Sequence, residues 1–273
     1  MQVVACVKQV PDTTQVKVDP VTGTLIREGV PFIMNPFDAH ALEESLSVKD
    51  RYGLRVAVIS MGPPNTEVTL RKTISLGADE AILLSDRAFG GADTLATSMV
   101  LAEAIKRLAE QEEVALVLCG RQTIDGDTAQ VGPGIATRLG YSQLTMVDRI
   151  ENIDLPARKV RVRRKLEGRH EIVEAPLPAM ISVLRETNTP RYPTVPMRLI
   201  AEDTTVVLWD NKVMELDEET IGLKGSATQV RKIFSPERAK GELLGDGIGN
   251  PEEAALLLLD KLLERDIISQ QQR

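Results

Sequence analysis

The chain has 273 residues, 42% of them hydrophobic and 27% charged, with a formal charge of -7 at neutral pH, enough apolar mass for one large core or a core with an appendage. The net negative charge and the 3% aromatic content argue against a nucleic-acid partner, which clustered Lys and Arg would have to grip, and against a base-stacking platform. Cys6 and Cys119 are the only cysteines, and His40 and His170 the only histidines; without metal-ligand spacing they predict buried thiols rather than a disulfide framework or a metal centre.

Met1-Gln2 runs straight into VVACV without the order of a signal peptide, and no apolar run approaches the ~20 residues that span a bilayer. The expectation is a soluble cytoplasmic protein, or an organellar one after processing, with no membrane span. Val3 to Val7 is the first strand candidate, continuously apolar as a strand covered on both faces must be. Val16 to Val30, VKVDPVTGTLIREGV, is broken by Asp-Pro and Thr-Gly into two short extended runs, the pattern of a surface hairpin. Asn35 is a good N-cap with Pro36 at the first helical position, and Leu42 and Leu46 share a face before Gly53.

A strand at Arg55 to Ser60, a helix carrying Leu70 and Ile74 up to Gly77, and a strand at Ala81 to Leu84 come next. Asp93 can cap a helix that lays Leu101, Ile105 and Leu108 on one stripe, and Val114 to Cys119 is the fourth apolar strand. Strands alternating with helices specify an α/β fold, a mostly parallel sheet with helices on both faces.

Past Gly140 the texture turns to β. Lys159 to Leu166 alternates, Glu167-Gly168 can turn, Arg169 to Glu174 returns and Ala179 to Leu184 is apolar, together extending the sheet with an antiparallel edge. The basic stripe KVRVRRKLEGRH puts its charges on the outer side of that hairpin, where a guarded edge or a docking face would place them. Pro190, Pro193 and Pro196 then forbid a regular helix or a central strand. From Ala201 the chain is charged and without strand rhythm until a last helix, Pro251 to Arg265, whose ALLLLDKLL run needs cover from the main domain or another chain. The expected division is an α/β domain over 1–200 and an extended C-terminal arm over 201–273.

In an open parallel sheet, ligands bind beyond the carboxyl ends of the strands. Four segments should converge there: Cys6-Val7-Lys8, Ser60-Met61-Gly62, the GGADTLATS run beginning at Gly90, and Gly120 to Pro133, GRQTIDGDTAQVGP. The last combines glycines that permit close backbone approach with a helix start whose free N–H groups favour phosphate. Asp125 and Asp127 would repel a diphosphate unless they face ribose hydroxyls, cap amides or hold a cation, so a ligand clamp and a capped, solvated loop both stay open. Neither a G-x-G-x-x-G fingerprint nor a Walker loop is present. With no nucleophile, base and acid set either, any hard chemistry would belong to a cofactor.

Eight runs in order, CVKQVPDT, NPFDAHALEE, ISMGPP, LGADEAILLSD, GRQTIDGDTAQVGP, LEGRHEIVEAPLPAMISV, NTPRYPTVP and IGLKGSATQV, resemble the beta subunit of electron-transfer flavoproteins over nearly the whole chain. The resemblance implies a Rossmann-like domain and a heterodimer with a larger alpha subunit. In ordinary members the beta subunit holds a structural AMP; in the electron-bifurcating branch it holds an FAD that accepts hydride from NADH. DGDTAQVGP, ADTLATS and IGLKGSATQV are closer to the bifurcating branch. Carried over, the nucleotide contacts are Cys6 and Val7; Asn35, Pro36, Phe37 and Asp38; and Met61 and Gly62. The loop then adds Gly120, Arg121, Gln122, Thr123, Ile124, Asp125, Gly126, Asp127, Thr128, Ala129, Gln130, Val131 and Gly132, while Asp93, Thr94 and Thr97 would lie near the ribityl chain and flavin ring.

The proline-rich segment, about 185–198, resembles the family's recognition loop, with Tyr192, Val195, Pro196 and Met197 as docking residues and Val195 where a leucine is common. The implied partners are a dehydrogenase or quinone oxidoreductase, with ferredoxin or flavodoxin as a further acceptor. Gly168-Arg169 stands where many members have paired glycines in the hairpin turn.

Overall fold

A computed structural model describes residues 1–12, 17–18, 25–26, 31–230 and 241–268. The chain divides into two compact units, Met1–Ile233 and Phe234–Arg273. The first opens with β1 (Gln2–Cys6), β2 (Gln9–Pro11), β3 (Lys17–Val18), β4 (Leu25–Ile26) and β5 (Phe32–Met34). β2 pairs antiparallel with β5, and β3 with β4, so the described parts of the 16–30 excursion turn back on themselves; the rest of it lies outside the described residues.

The alternating half follows: α1 (Pro36–Tyr52), β6 (Arg55–Met61), α2 (Glu67–Leu76), β7 (Glu80–Leu84), α3 (Thr94–Gln111), β8 (Val114–Gly120) and α4 (Val131–Leu139). Proline at the first turn starts α1, and Gly53, at φ 70°, ends it in the left-handed conformation that costs a residue without Cβ least. Asp93 caps α3 by accepting from the N–H groups of Leu95 and Ala96. Then come β9 (Ser142–Asp154), β10 (Lys159–Leu166), β11 (Arg169–Pro176), β12 (Ala179–Val183), α5 (Val195–Asp203), β13 (Val207–Trp209) and α6 (Asn211–Met214).

Nine of these strands form one sheet in the order β11-β10-β9-β12-β8-β1-β6-β7-β13. It is parallel from β9 to β13, and β10 and β11 extend it as an antiparallel edge. Period-two alternation sorts the core: Val3 and Ala5 join α1 and α2 on one face, whereas Val4 and Cys6 join α3 and α4 on the other. Helices therefore cover both faces, the architecture that alternating strands and helices predicted.

Four elements depart from expectation. The prolines do not exclude a helix: α5 begins at Val195, where the Thr194 hydroxyl caps the Met197 N–H and Pro196 sits in the first turn, whose N–H groups have no carbonyl to reach. Strand rhythm does not end at Ala201, because β13, three residues long, pairs parallel with β7. β9 was hidden by a mixed burial pattern and irregular pairing with β10, and β12 lies inside the sheet, between β8 and β9, rather than at its antiparallel edge.

In the second unit, α7 (Pro251–Glu264) has no buried residue and exposes Leu256, Leu257 and Leu258. Among the described residues no helix is long and apolar enough to cross a membrane.

Candidate functional site

Parallel strands ending at one rim leave their loops facing each other, and here the loops after β1, β6, β7 and β8 enclose a cleft of about 780 Å³. Its walls are Cys6 to Lys8, Met61 to Pro64, Ser85 to Thr94 apart from Ala88, and the loop from Cys119 to Gly132 apart from Ile124, Asp125 and Asp127. Thr97 and Leu101 of α3 and Asp38 of α1 complete it.

Most of the residues expected at the site thus line one space; Asn35, Pro36, Phe37, Ile124, Asp125 and Asp127 do not. Asn35 is fully buried. Instead of closing α1 with its side chain, it donates from its amide to the Gln122 carbonyl at 2.9 Å and accepts from the Ile124 N–H at 3.2 Å, fixing the loop at two points. Asp38, on the first turn of α1, accepts from the Lys8 N–H at 2.8 Å and the Gly120 N–H at 3.1 Å. Its carboxyl ties the ends of β1 and β8 together. Burial pushes this group up to about 7, against the backbone N–H groups of Lys8 and Gly120 and the Asn35 amide, which favour the charged form. Pro36 starts the helix, and Phe37 carries the Arg185 guanidinium 4.3 Å from its ring centroid.

The two carboxylates that would repel an anion are turned onto protein donors. Asp125 accepts from Lys8 Nζ at 2.6 Å and Asp127 from Gln122 Nε2 at 2.7 Å. Burial works against the charge of Asp125, but hydrogen bonds from Lys8 and Thr123 outweigh it and hold the carboxyl below the usual range. Asp127 and Ala129 sit at φ 51° and 56°, left-handed values that a non-glycine residue adopts only when its surroundings hold it there.

The floor is closely packed. A Cβ on Gly132 would come 2.7 Å from Cys119 Sγ and 3.1 Å from Met180 Sδ, so only glycine lets α4 settle on the strands. Burial raises both the Cys6 and Cys119 thiols, Cys119 to about 12, which keeps them neutral. No side chain caps the start of α4, and Pro133 in its first turn has no N–H to satisfy. Val131 and Gly132, which line the cleft, therefore bring the uncapped, positive end of the helix dipole to it. A glycine-lined loop, an uncapped helix start and a roomy cleft over an apolar floor fit an adenine nucleotide carrying phosphate.

Across the cleft, Thr94 Oγ1 donates to Gln130 Oε1 at 2.9 Å, linking the two rims. Asp93 lines the cleft, yet its carboxylate already accepts from Leu95, Ala96 and Thr228. The wall from Ser85 to Phe89, ahead of the GGADTLATS run, went unrecognised in the sequence. Its signal was Asp86, whose carboxylate accepts from the Ala88 and Asn211 N–H groups at 2.9 Å, a local turn that SDRAFGG announces only weakly.

The four docking candidates lie away from this cleft. Tyr192 and Val195 are 91% and 72% exposed, Pro196 is exposed and Met197 half-buried. Arg191 anchors the segment through Glu43 at 2.9 Å and Asp50 at 2.8 Å.

A mostly parallel sheet covered on both faces, with a nucleotide-sized cleft beyond its strand ends, defines a doubly wound α/β protein. A family model described as the electron transfer flavoprotein domain matches residues 22–212. The electron transfer flavoprotein subunit beta of Clostridium acetobutylicum is 48% identical over 269 residues, covering 98% of this chain and 100% of that protein. Subunit CarD of the caffeyl-CoA reductase-Etf complex of Acetobacterium woodii is 47% identical over 270 residues, with 98% and 100% covered. Protein FixA of Azotobacter vinelandii is 47% identical over 265 residues, with 96% and 94% covered. The chain belongs to the electron transfer flavoprotein family as a beta subunit. Membership implies a flavin or AMP as its ligand and an alpha subunit as its counterpart.

Proposed function

We propose that this chain is a beta subunit of the electron-bifurcating kind. With its alpha subunit it holds FAD, takes electrons from NADH, and passes them in the cytoplasm to a dehydrogenase or quinone oxidoreductase and to a low-potential carrier such as ferredoxin or flavodoxin. The observation that carries this reading is the double wall of the cleft. The Cys119 to Gly132 loop and α4 suffice for AMP, but about 780 Å³ extends on to a second wall, Ser85 to Thr97. That wall would be superfluous for a mononucleotide and suits the flavin half of a dinucleotide.

In this reading the α4 amides hold the phosphates, Asn35 and Asp38 fix the loop around them, and Thr94 and Thr97 offer hydroxyls to the redox half. A bound flavin supplies hydride acceptance and one-electron release. The protein supplies position: the turned-away Asp125 and Asp127 keep negative charge off the anion, and the neutral thiols of Cys6 and Cys119 keep the floor apolar. CarD, by its name, works in a complex with a reductase, which is the kind of partnership proposed here.

Co-expression with the alpha subunit, followed by a count of flavin per heterodimer, tests the reading. Two FAD with NADH oxidation coupled to two acceptors are expected. One FAD with one AMP would make this an ordinary electron-transfer flavoprotein, and a heterodimer without nucleotide would sink the site altogether.

Docking is tested separately. Val195→Asp places a charge on the exposed anchor and is expected to slow electron transfer to the partner by about tenfold or more, the scale of losing one apolar anchor, with flavin content unchanged. An unaffected transfer rate would remove Val195 from the interface.

A further inference from the structure

The segment from Ile221 to Thr228 follows the last strand and helix of the first unit, yet it returns to the cleft. Ile221 is buried against the α3 face of the sheet together with Phe89. Gly222, at φ 55°, passes so close to Ala88 that a Cβ would strike the Ala88 carbonyl, and Leu223 lies over Gly91, where an added Cβ would come 3.3 Å from its own. Ser226 Oγ accepts from the Asp93 N–H at 2.8 Å. Thr228 donates twice to the Asp93 carboxylate, from its N–H at 2.9 Å and its hydroxyl at 3.0 Å. Every one of these contacts falls between Ala88 and Asp93, in the wall of which Phe89 to Asp93 line the cleft.

We infer that residues 221–228 form a latch, with Ser226 and Thr228 as positioning residues that hold the Phe89 to Thr94 wall closed over the bound nucleotide. Asp93 is the shared element. One of its oxygens caps α3 and the other takes the latch, so the wall cannot move outward without breaking the cap or the two Thr228 bonds. Partial burial disfavours the charge on Asp93, but donation from Ala96, Thr228 and Leu95 outweighs it and keeps the carboxyl below its ordinary range. The same bonds explain why α3, unlike α4, has no free helix start for a phosphate: Asp93 already occupies its Leu95 and Ala96 amides. The latch uses neutral hydroxyls, which add no charge beside an anionic ligand.

This inference rests on the nucleotide reading of the cleft, and the test separates the two. The full heterodimer carrying Ser226→Ala with Thr228→Val keeps side-chain volume but loses both hydroxyls. Release of bound nucleotide is followed after dilution, by flavin fluorescence for FAD or by chromatography of the filtrate for AMP. The two hydrogen bonds lost to the wall, beside the Ser226–Gly222 bond lost within the segment, predict release about tenfold or more faster, with the melting midpoint of the nucleotide-free heterodimer little changed. Thr228→Ser, which keeps the hydroxyl, should restore most of the slow release. Lys224→Gln, which removes only the pair between Lys224 of the segment and Glu219 just before it, should release like wild type. Release at the wild-type rate from the double variant overturns the latch while leaving the nucleotide site standing, as does a lowered melting midpoint with unchanged release. A wild-type heterodimer without nucleotide overturns both.

Discussion

Asp38→Asn is expected to lower the unfolding free energy by about 2–3 kcal/mol, the cost of leaving a buried donor without its acceptor, and to empty the cleft of nucleotide. Two backbone N–H groups converge on two carboxyl oxygens; an amide offers one oxygen and turns an NH₂ toward the other donor. The ends of β1 and β8 would part where the ligand loop begins. The variant also carries a pH signature. Burial raises the carboxyl from 3.8 to about 7, so the folded chain binds a proton that the unfolded chain has released. That contribution is complete below about pH 4 and lost as pH rises through 7. The stability difference between wild type and Asp38→Asn should therefore narrow from pH 4 to pH 8, while Cys6 and Cys119, pushed upward, stay protonated throughout. Denaturant melts at several pH values, with nucleotide counted after purification, check both effects. A variant with wild-type stability and a full nucleotide complement would remove Asp38 from its structural role.

Gly120→Ala is expected to be comparably severe, about 2–4 kcal/mol. The added methyl would come within 2.5 Å of Asp38 Oδ1, 2.6 Å of Phe37 Cβ and 2.7 Å of the Phe37 carbonyl carbon. The last is backbone in the first turn of α1, which cannot swing aside as a side chain would. Since Gly120 and Asp38 are hydrogen-bonded to each other, the double variant should cost less than the sum of the singles. Additive losses in a double-mutant cycle would show that the two act separately.

Much of this fold is legible because its strands are apolar throughout and its helices begin and end on strong punctuation. Val3 to Val7, Arg55 to Ser60 and Val114 to Cys119 identify themselves by burial on both faces, and Asp93 and Gly53 mark helix ends with local chemistry. β9 and β13 were not legible for the opposite reason. β9 leaves the parallel core and runs out along an exposed wing, so its side chains meet apolar and aqueous surroundings in no fixed rhythm. β13 is too short to display a period. The prolines before α5 misled because a helix start tolerates what a helix interior does not.

At the site, the strand ends announced the cleft and the glycines announced its loop. The roles within it depended on tertiary pairings that no local pattern encodes. Asn35 looked like a cap and proved to be a staple for a loop 87 positions away. Asp125 and Asp127 looked like an obstacle until Lys8 and Gln122 were seen to hold them. Ser226 and Thr228 stand within the IGLKGSATQV run, but their role became visible only beside Asp93.

The position of β12 also orders events during synthesis. β8 ends at Gly120, but its neighbour begins only at Ala179, after β9, β10 and β11 have left the ribosome. At translation rates of about 5–20 residues per second, the apolar edge of β8 waits several seconds without a hydrogen-bonding partner, in the form most open to pairing with another chain. The Met180 sulfur on which Gly132 rests arrives in the same late strand. The loop that holds the ligand is thus written early and floored last, so the insertion of β12 is the event that turns a vulnerable nascent sheet into a binding site.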